Sequence, residues 1–319
     1  MRLFLTVIVV FIAASVAGAQ VTAAPRALFA NGKHSVTIPL DIDNNIIRMK
    51  VRVNGSRELT MIFDTGASMT GIDEHFVKEL GLTTTADKLK GKGTGGNFSG
   101  AYVKSSTLAV GDVQVSNQPL AAFKINTPPG FDFDGVIGYD FIAAFVVEID
   151  YQKKTMILHE PSRYVYRGRG DVIALDLSGR KTPLLRTVVA MSKGRSFIVN
   201  LELDTGADNA FLLNSPIVKR ERLRNLFGTA RQDMARGAGG QQDRMVVRAR
   251  SVKFGRITVQ KPPVALTLER VGAGAATDNG GTLGGEVLRR FKVVIDYPRA
   301  RLILERNSNF DQPYEDESG

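Results

Sequence analysis

The sequence contains no cysteine, no tryptophan and only three histidines among its 319 residues. The absence of cysteine excludes disulfide bridges, a thiol nucleophile, iron–sulfur clusters and cysteine-ligated zinc. The three histidines, His34, His75 and His159, are dispersed, so a histidine-based metal site or triad is hard to build, and we assign them no role. We therefore expect any chemistry in this chain to depend on carboxylates, hydroxyls or amines.

Long hydrophobic runs are also scarce, and the one at the N-terminus has the pattern of a signal peptide. Arg2 is followed by the apolar stretch 3–16 and then by Ala17-Gly18-Ala19, which is typical of a cleavage site. We predict a signal peptide over 1–19 and a protein exported to a bacterial periplasm or secreted, without stable membrane insertion after signal removal. An uncleaved anchor is the alternative, because the stretch approaches spanning length. Residues 20–34 are predicted to be an N-terminal segment or a short propeptide.

The charge is unevenly distributed along the chain. Residues 20–160 hold 14 basic and 15 acidic residues, whereas residues 161–319 hold 27 basic and 17 acidic ones. A basic half can attract anionic polymers, and the segment Ile217–Phe227 is its most basic helix candidate. No nucleic-acid motif accompanies the charge, so we expect no nucleic-acid partner. A solvated basic surface is the simpler interpretation, and an envelope-anchoring basic protein stays open.

The sequence is internally duplicated. Phe63-Asp64-Thr65-Gly66-Ala67-Ser68 recurs 140 residues later as Leu203-Asp204-Thr205-Gly206-Ala207-Asp208. Four further segments recur in the same order at offsets of 144 to 146, and they begin at Gly93, Leu108, Val136 and Val147. Because order and spacing are both kept, the chain contains two copies of one unit.

Each copy is predicted to be mostly β. Turn residues between apolar segments predict hairpins around Asn54-Gly55 and Lys193-Gly194, and two more around 150–154 and 296–300. A short helix is expected after each Asp-Thr-Gly. One would carry an apolar stripe from Ile72 to Leu80, and the other would be capped by Ser215 and end at Gly228. We predict an N-terminal lobe over 35–160, a linker over 161–171, a C-terminal lobe over 172–305 and a mobile polar tail over 306–319.

Asp64-Thr65-Gly66 and Asp204-Thr205-Gly206 each follow an apolar strand. The glycine lets the chain turn sharply, and the N–H groups that it exposes can bond the aspartate carboxylate and fix its direction. The threonine can bond across to the opposite loop. A single such motif would be an ordinary turn, but two at matched positions of a repeat predict a shared site.

On these residues the chain resembles the aspartic peptidases of the pepsin and retropepsin superfamily. The resemblance covers about residues 35–305 and implies an all-β, bilobal fold in which the two loops meet at a pseudo-twofold axis. It also implies a hydrophobic-hydrophobic-Gly segment beneath each loop, here Val136-Ile137-Gly138 and Leu283-Gly284 with Thr282 before it. Ala67, Ala207 and the run Asp-Thr-Gly-Ala-Asp favour retropepsins, so the chain is similar to a retropepsin dimer fused into one polypeptide.

The resemblance extends to the substrate-covering elements. The glycine-rich runs are similar to retropepsin flap tips, one in each lobe, and their glycines are Gly93, Gly95 and Gly96 and Gly237, Gly239 and Gly240. No pepsin-type flap tyrosine is evident, and Phe98 or Tyr102 could replace it. Asp208 could contact the substrate backbone, as its counterpart does in retropepsins, or it could be a surface or helix-capping residue.

The resemblance implies an aspartic endopeptidase that needs neither a metal nor an organic cofactor. Asp64 and Asp204 would share one proton and activate a water, and the sequence does not distinguish the acid from the base. Thr65, Gly66, Thr205 and Gly206 would support them. We expect a monomer that acts on peptides or unfolded proteins. The alternative is a catalytically inactive peptide-binding protein that uses the same cleft.

Overall fold

The computed structural model describes residues 9–11, 26–125, 130–191 and 194–314 of the chain. Three β-sheets contain most of these residues, and the few helices are short, so the predicted all-β class is confirmed. The predicted signal peptide lies outside the described residues apart from Val9–Phe11, which pair with 91–93. Within the described part, no helix is both long and apolar enough to cross a bilayer.

The first-lobe sheet is built from the first copy of the repeat. Apolar residues alternate along its longer strands, for example in Ile46–Val53, because one face of the sheet covers the core. In sheet order its strands are Val9–Phe11, Thr84–Gly93, Gly96–Val110, Val113–Phe123, Gly71–Asp73, Gly135–Ile137, Leu59–Phe63, Ile46–Val53 and Asp41–Asp43, with Arg26–Phe29 pairing beside Val113–Phe123.

The second-lobe sheet repeats this arrangement with the second copy. In sheet order its strands are Arg231–Gly237, Gly240–Arg248, Pro263–Thr267, Phe211–Leu213, Gly281–Leu283, Ser196–Leu203, Leu184–Ala190, Ser251–Phe254 and Ile257–Gln260. In both sheets a three-residue strand, Gly135–Ile137 or Gly281–Leu283, lies parallel to the strand that leads into Asp-Thr-Gly. These two strands are the hydrophobic-hydrophobic-Gly segments named in the sequence.

A central six-stranded sheet joins the lobes. Its order is Asp171–Ala174, Arg301–Arg306, Phe291–Asp296, Val146–Asp150, Thr155–His159 and Ser35–Pro39. Glu148 is the register partner of Val294, and the two are 146 residues apart, which is the offset of the repeat here. At this one pair, equivalent residues of the two copies face each other, so a pseudo-twofold axis passes between the two strands at this point.

The four predicted hairpins are all present as antiparallel strand pairs. The predicted helices are shorter than expected. Ile72 lies in a strand, and the helix after it is His75–Glu79. The other helix, Ser215–Arg220, has Asn214 as its N-cap and ends before Arg222, whose φ of 53° is left-handed. The rest of 217–227 belongs to the 3-10 segment Leu223–Thr229. The remaining helices are Tyr139–Ile142 and Gly285–Leu288, with 3-10 turns at Ala30–Gly32, Pro161–Arg163, Ala273–Ala275 and Tyr297–Arg299.

The predicted mobile tail over 306–319 makes specific contacts as far as Tyr314, and residues 315–319 lie outside the described part of the chain. Residues 307–314 are described, and they pack on the second lobe because Arg290 is buried beneath them. Its guanidinium donates to the carbonyl oxygens of Asn309, Phe310, Gln312 and Pro313 and lies 4.0 Å from the ring centre of Tyr314. Polar composition suggested mobility, but a buried cation with several backbone acceptors holds the segment in place.

The predicted segment boundaries also shift at two points. Residues 26–29 of the predicted N-terminal segment form a strand of the first-lobe sheet. In the linker, Asp171 already belongs to a central-sheet strand. Tyr166 fastens the linker to that sheet, because its hydroxyl donates to Glu305 and accepts from the N–H of Gly170.

Candidate active site

The two Asp-Thr-Gly loops meet where the lobes face each other. Each aspartate is held at the end of its strand by the parallel neighbour: the N–H of Asp64 donates to the carbonyl of Ile137 at 3.0 Å, and that of Asp204 donates to Leu283 at 3.0 Å. Gly138 and Gly284 follow these neighbours, and a side chain on either would overlap the backbone of the loop above it. The segment therefore threads beneath the loop because it ends in glycine.

The threonines of the two loops exchange hydrogen bonds across the interface. The Thr65 hydroxyl donates to the carbonyl of Leu203 at 2.6 Å and accepts from the N–H of Thr205 at 3.0 Å. The Thr205 hydroxyl makes the mirrored bonds, to the carbonyl of Phe63 at 2.8 Å and from the N–H of Thr65 at 3.1 Å. All four bonds are buried, so they fix the two loops in register with each other.

The carboxyl groups of Asp64 and Asp204 are fully buried, and each faces the opposite loop. A Cβ atom on Gly66 would lie 3.0 Å from the Asp204 Cγ atom, and one on Gly206 would lie 2.5 Å from that of Asp64. Glycine is required here because the opposite carboxyl occupies the space of a side chain. The structure thus brings together both aspartates and all four predicted supporting residues.

Each carboxyl has one oxygen held by its own loop and one left over. The Asp64 Oδ1 atom accepts from the N–H groups of Gly66 at 2.8 Å and Ala67 at 3.1 Å, whereas the Asp204 Oδ1 atom accepts from Gly206 at 2.9 Å. Neither Oδ2 atom has a hydrogen-bond partner among the described residues. Two buried oxygens of this kind, one from each lobe, form a pair that can hold a proton and a polar molecule.

Burial raises the pKa of both carboxyls well above the ordinary range. For Asp204 the negative charge of Asp64 adds to this effect, and Glu202 raises the pKa of both aspartates further. The N–H donors act in the opposite direction, and Asp64 has more of them. The pair therefore retains a proton at a pH where isolated carboxylic acids have lost theirs, and the asymmetry favours Asp204 as its carrier.

The predicted flap residues form two hairpin tips that contact each other. Gly93 pairs with Gly96 and Gly237 pairs with Gly240, which gives two-residue turns. The N–H of Gly95 donates to the carbonyl of Ala238 at 3.0 Å, and a Cβ atom on Gly95 would lie 2.0 Å from Gly240. Glycine at these positions permits the approach of two backbones.

The second flap tip also contacts the first lobe near the dyad. Ala238 belongs to an apolar cluster with Ala67, the residue after Gly66. Phe98 and Tyr102, considered from the sequence as flap aromatics, pack against the same cluster, and Phe98 lies 4.9 Å from Phe123 between ring centres. The cleft is therefore closed in this conformation, which agrees with the complete burial of the two aspartates.

Asp208 lies neither at the surface nor at a helix terminus, so those alternatives are wrong. It is buried, and its carbonyl accepts from Asn45 of the first lobe at 3.3 Å. It lines a small cavity of about 50 Å³ between the lobes, together with Asn45, Asn209, Arg231, Arg244 and Glu286. Asp208 therefore lies at a cavity next to the second Asp-Thr-Gly loop.

Sequence reasoning missed three buried polar groups near the dyad. Glu202 is fully buried, and burial raises its pKa to about 7. Tyr151 and Tyr297 occupy equivalent positions of the repeat, and neither hydroxyl has a partner within the described structure. Their pKa values are raised by burial, and also by the dyad carboxyls. The signal in the sequence was a glutamate between Leu201 and Leu203, two residues before the aspartate.

Comparison with known proteins agrees with this geometry. Residues 49–141 match the aspartyl protease family. The structure is similar to the crystal structure of an aspartic proteinase from Irpex lacteus, with a TM-score of 0.59 over 88% of this chain and 100% of that chain. The chain has the pepsin-like aspartic proteinase fold.

The predicted resemblance to the pepsin and retropepsin superfamily is thereby confirmed. The two proteins share the fold although their sequences are only 14% identical. Among curated proteins, no sequence matches this chain. Family and fold together support aspartic peptidase activity in general terms. No group of three or more potential metal ligands occurs in the described parts of the chain.

Proposed function

We propose that this chain is an aspartic endopeptidase, and that Asp64 and Asp204 activate the water that hydrolyses a peptide bond. The observation that carries the proposal is the carboxyl pair itself. Two buried acids from opposite lobes face each other, each with one oxygen held by backbone N–H groups and one without a partner. A structural role alone would not require two adjacent buried carboxyls whose pKa values are both raised.

The different environments of the two carboxyls support different roles for them. Asp64 accepts two N–H bonds and Asp204 accepts one, so negative charge is better stabilised on Asp64. Glu202, two residues before Asp204 on the same strand, further disfavours a second charge. In the resting pair Asp64 is therefore the ionised base and Asp204 the protonated acid.

The reaction follows from this arrangement by general acid–base catalysis. Asp64 takes a proton from a water held between the carboxyls, while the water oxygen bonds to the carbonyl carbon of the substrate. Asp204 gives its proton to the carbonyl oxygen, which yields a neutral tetrahedral diol. Collapse of the diol breaks the C–N bond as the nitrogen takes the proton from Asp64, and the remaining hydroxyl proton returns to Asp204.

The flaps define how the substrate enters. Because the two tips contact each other over a buried pair, they must separate to admit an extended chain and can then close over it. Closure excludes bulk water, which strengthens every interaction within the site. From the N-terminal sequence we also propose that the enzyme acts on proteins outside the cytoplasm.

Hydrolysis of an unfolded protein between about pH 4 and 7, blocked by a statine-type inhibitor, tests the proposal. Asp64→Asn and Asp204→Asn should each reduce the rate to below a few per cent of wild type. Asp140→Asn is the matched control, because Asp140 is a partly buried acid whose pKa is raised to about 6 by desolvation. Asparagine keeps the Oδ1 acceptor that Asp140 offers to Thr70.

Two outcomes would contradict the proposal. A dyad variant that keeps substantial activity would exclude the assigned roles. Tight binding of peptides without any hydrolysis by the wild-type protein would favour the alternative, a catalytically inactive peptide-binding protein.

A further inference from the structure

The two lobes present chemically different walls beside the dyad. In each lobe the residue two positions before the aspartate lies on the same face of its strand as the aspartate, because side chains alternate along a β-strand. That residue is Ile62 in the first lobe and Glu202 in the second, and both are fully buried.

The first-lobe wall is apolar. Ile62 is the register partner of Val136 on the parallel neighbouring strand. Both belong to the apolar cluster that contains Phe131 and Phe133, with Phe98 packed against it from the first flap. An apolar wall of this composition favours an aliphatic or aromatic side chain.

The equivalent positions of the second lobe are polar. Glu202 is the register partner of Thr282, which replaces Val136 in the repeat. Asn279 replaces Phe133, and its side-chain amide donates to the Oε2 atom of Glu202 at 3.2 Å. The same Oε2 atom accepts from Thr182 at 2.7 Å and from Arg180 at 3.2 Å.

Acceptor atoms are left over on this wall. The Glu202 Oε1 and Thr282 Oγ1 atoms are buried, and neither has a partner among the residues that the structure describes. On the second flap, Gln242 replaces Phe98 of the repeat, and its Oε1 atom is likewise buried without a partner there. A buried acceptor without a donor costs about 1–3 kcal/mol, so each of these atoms favours a ligand that donates.

Arg180 is the cation that contacts this wall. Arg180 is shared between two carboxylates, because its Nη2 atom contacts Glu202 at 3.2 Å and its Nη1 atom contacts Asp278 at 3.0 Å. One guanidinium is therefore divided between two acids, and the Oε1 atom of Glu202 still has no donor among the described residues. An uncharged apolar side chain would leave the acceptors unpaired.

We infer that the protease selects opposite chemistries on the two sides of the scissile bond: an apolar or aromatic side chain against Ile62, and a lysine or arginine against Glu202 and Thr282. The inference rests on the proposed function, since it describes the substrate of that same site. It follows from the difference in polarity between the two copies of the repeat on either side of the dyad.

Peptides that differ only in one residue flanking the cleaved bond test the inference. With phenylalanine on one side, a lysine on the other should raise kcat/KM over leucine by about tenfold or more, as expected for one charge-assisted bond to a buried acceptor. The double variant Glu202→Ile with Thr282→Val installs the first-lobe residues and should reverse this preference. Glu202→Gln keeps the shape and should reduce the lysine preference by about tenfold.

The matched control is Ile62→Val, which changes the opposite wall and should leave the lysine preference intact. Equal cleavage of the lysine and leucine peptides, or a preference that survives in the double variant, would refute the inference while leaving the proposed function intact. Binding of both peptides is measured in parallel. If the wild-type protein cleaves neither the lysine nor the leucine peptide, the proposed function fails. If it then also binds the two peptides equally well, the inference is refuted too.

Discussion

Replacing Asp204 with asparagine should make the protein more stable at neutral pH although it removes activity. In the native state, burial and the neighbouring Asp64 raise the pKa of Asp204 well above its ordinary value of 3.8. The unfolded chain ionises freely, so at pH 7 folding must either keep a proton on the pair or bury a second charge. Asparagine removes this cost and still offers an Oδ1 acceptor to the N–H of Gly206.

The magnitude follows from proton linkage. A native pKa above the unfolded value means that the folded state binds more protons, so stability is lost as the pH rises above about 4. Each pKa unit corresponds to ~1.4 kcal/mol, and pH 7 lies about three units above the ordinary value. A carboxyl that keeps its proton in the folded state therefore costs at most ~4 kcal/mol at pH 7. Since the amide is itself buried, we expect Asp204→Asn to gain about 2–4 kcal/mol.

Urea unfolding of wild type and variant at pH 7 and pH 4 measures the effect. The gain should be present at pH 7 and largely absent at pH 4, where the unfolded carboxyl is close to its ordinary pKa and ionises only in part. Asp176→Asn is the control, because Asp176 is exposed and bonds to Ser178 lower its pKa, so no gain is expected. Destabilisation by Asp204→Asn at pH 7, or an equal gain at both pH values, would refute the reasoning.

Three other predictions test the loops and the flaps. Thr205→Val removes two hydrogen bonds between the lobes and should lower the free energy of unfolding, measured in urea, by about 2–4 kcal/mol. The control Thr187→Val should lower it by about 1 kcal/mol or less, because the Thr187 hydroxyl makes one local bond. Gly239→Ala places a Cβ atom against the backbone of the opposite flap and should lower kcat/KM about tenfold or more. The control Gly179→Ala should leave kcat/KM unchanged, because Gly179 also has a positive φ but no atom lies within 4 Å of the added Cβ. Activity should peak between about pH 4 and 6.5, and Ala67→Ser should shift the profile about one unit to lower pH by bonding the ionised carboxylate. An optimum near pH 2 would contradict this last expectation.

The sequence by itself determined the parts of the protein that depend on local or repeated signals. Asn54-Gly55 between two apolar runs specifies a hairpin because few residues adopt its turn conformation, and the hairpin is present. The duplicated Asp-Thr-Gly identified the two loops that meet, since two copies of one unit related by a twofold place equivalent residues opposite each other. Helix ends were less certain, because capping by Ser215 competed with its bond to the carbonyl of Thr267.

Contacts between residues distant in sequence could be decided only by the tertiary structure. The shared central sheet, the contact of Gly95 with Ala238 and the anchoring of the tail by Arg290 all join segments whose own sequences contain no sign of the partner. The polar wall at Glu202 is of the same kind. A glutamate in an apolar strand is an anomaly in sequence, and only packing shows which of its oxygens is satisfied. Whether a polar atom is paired, how deeply it is buried and what it costs when it has no partner all depend on the atoms around it, and only the fold brings those atoms together.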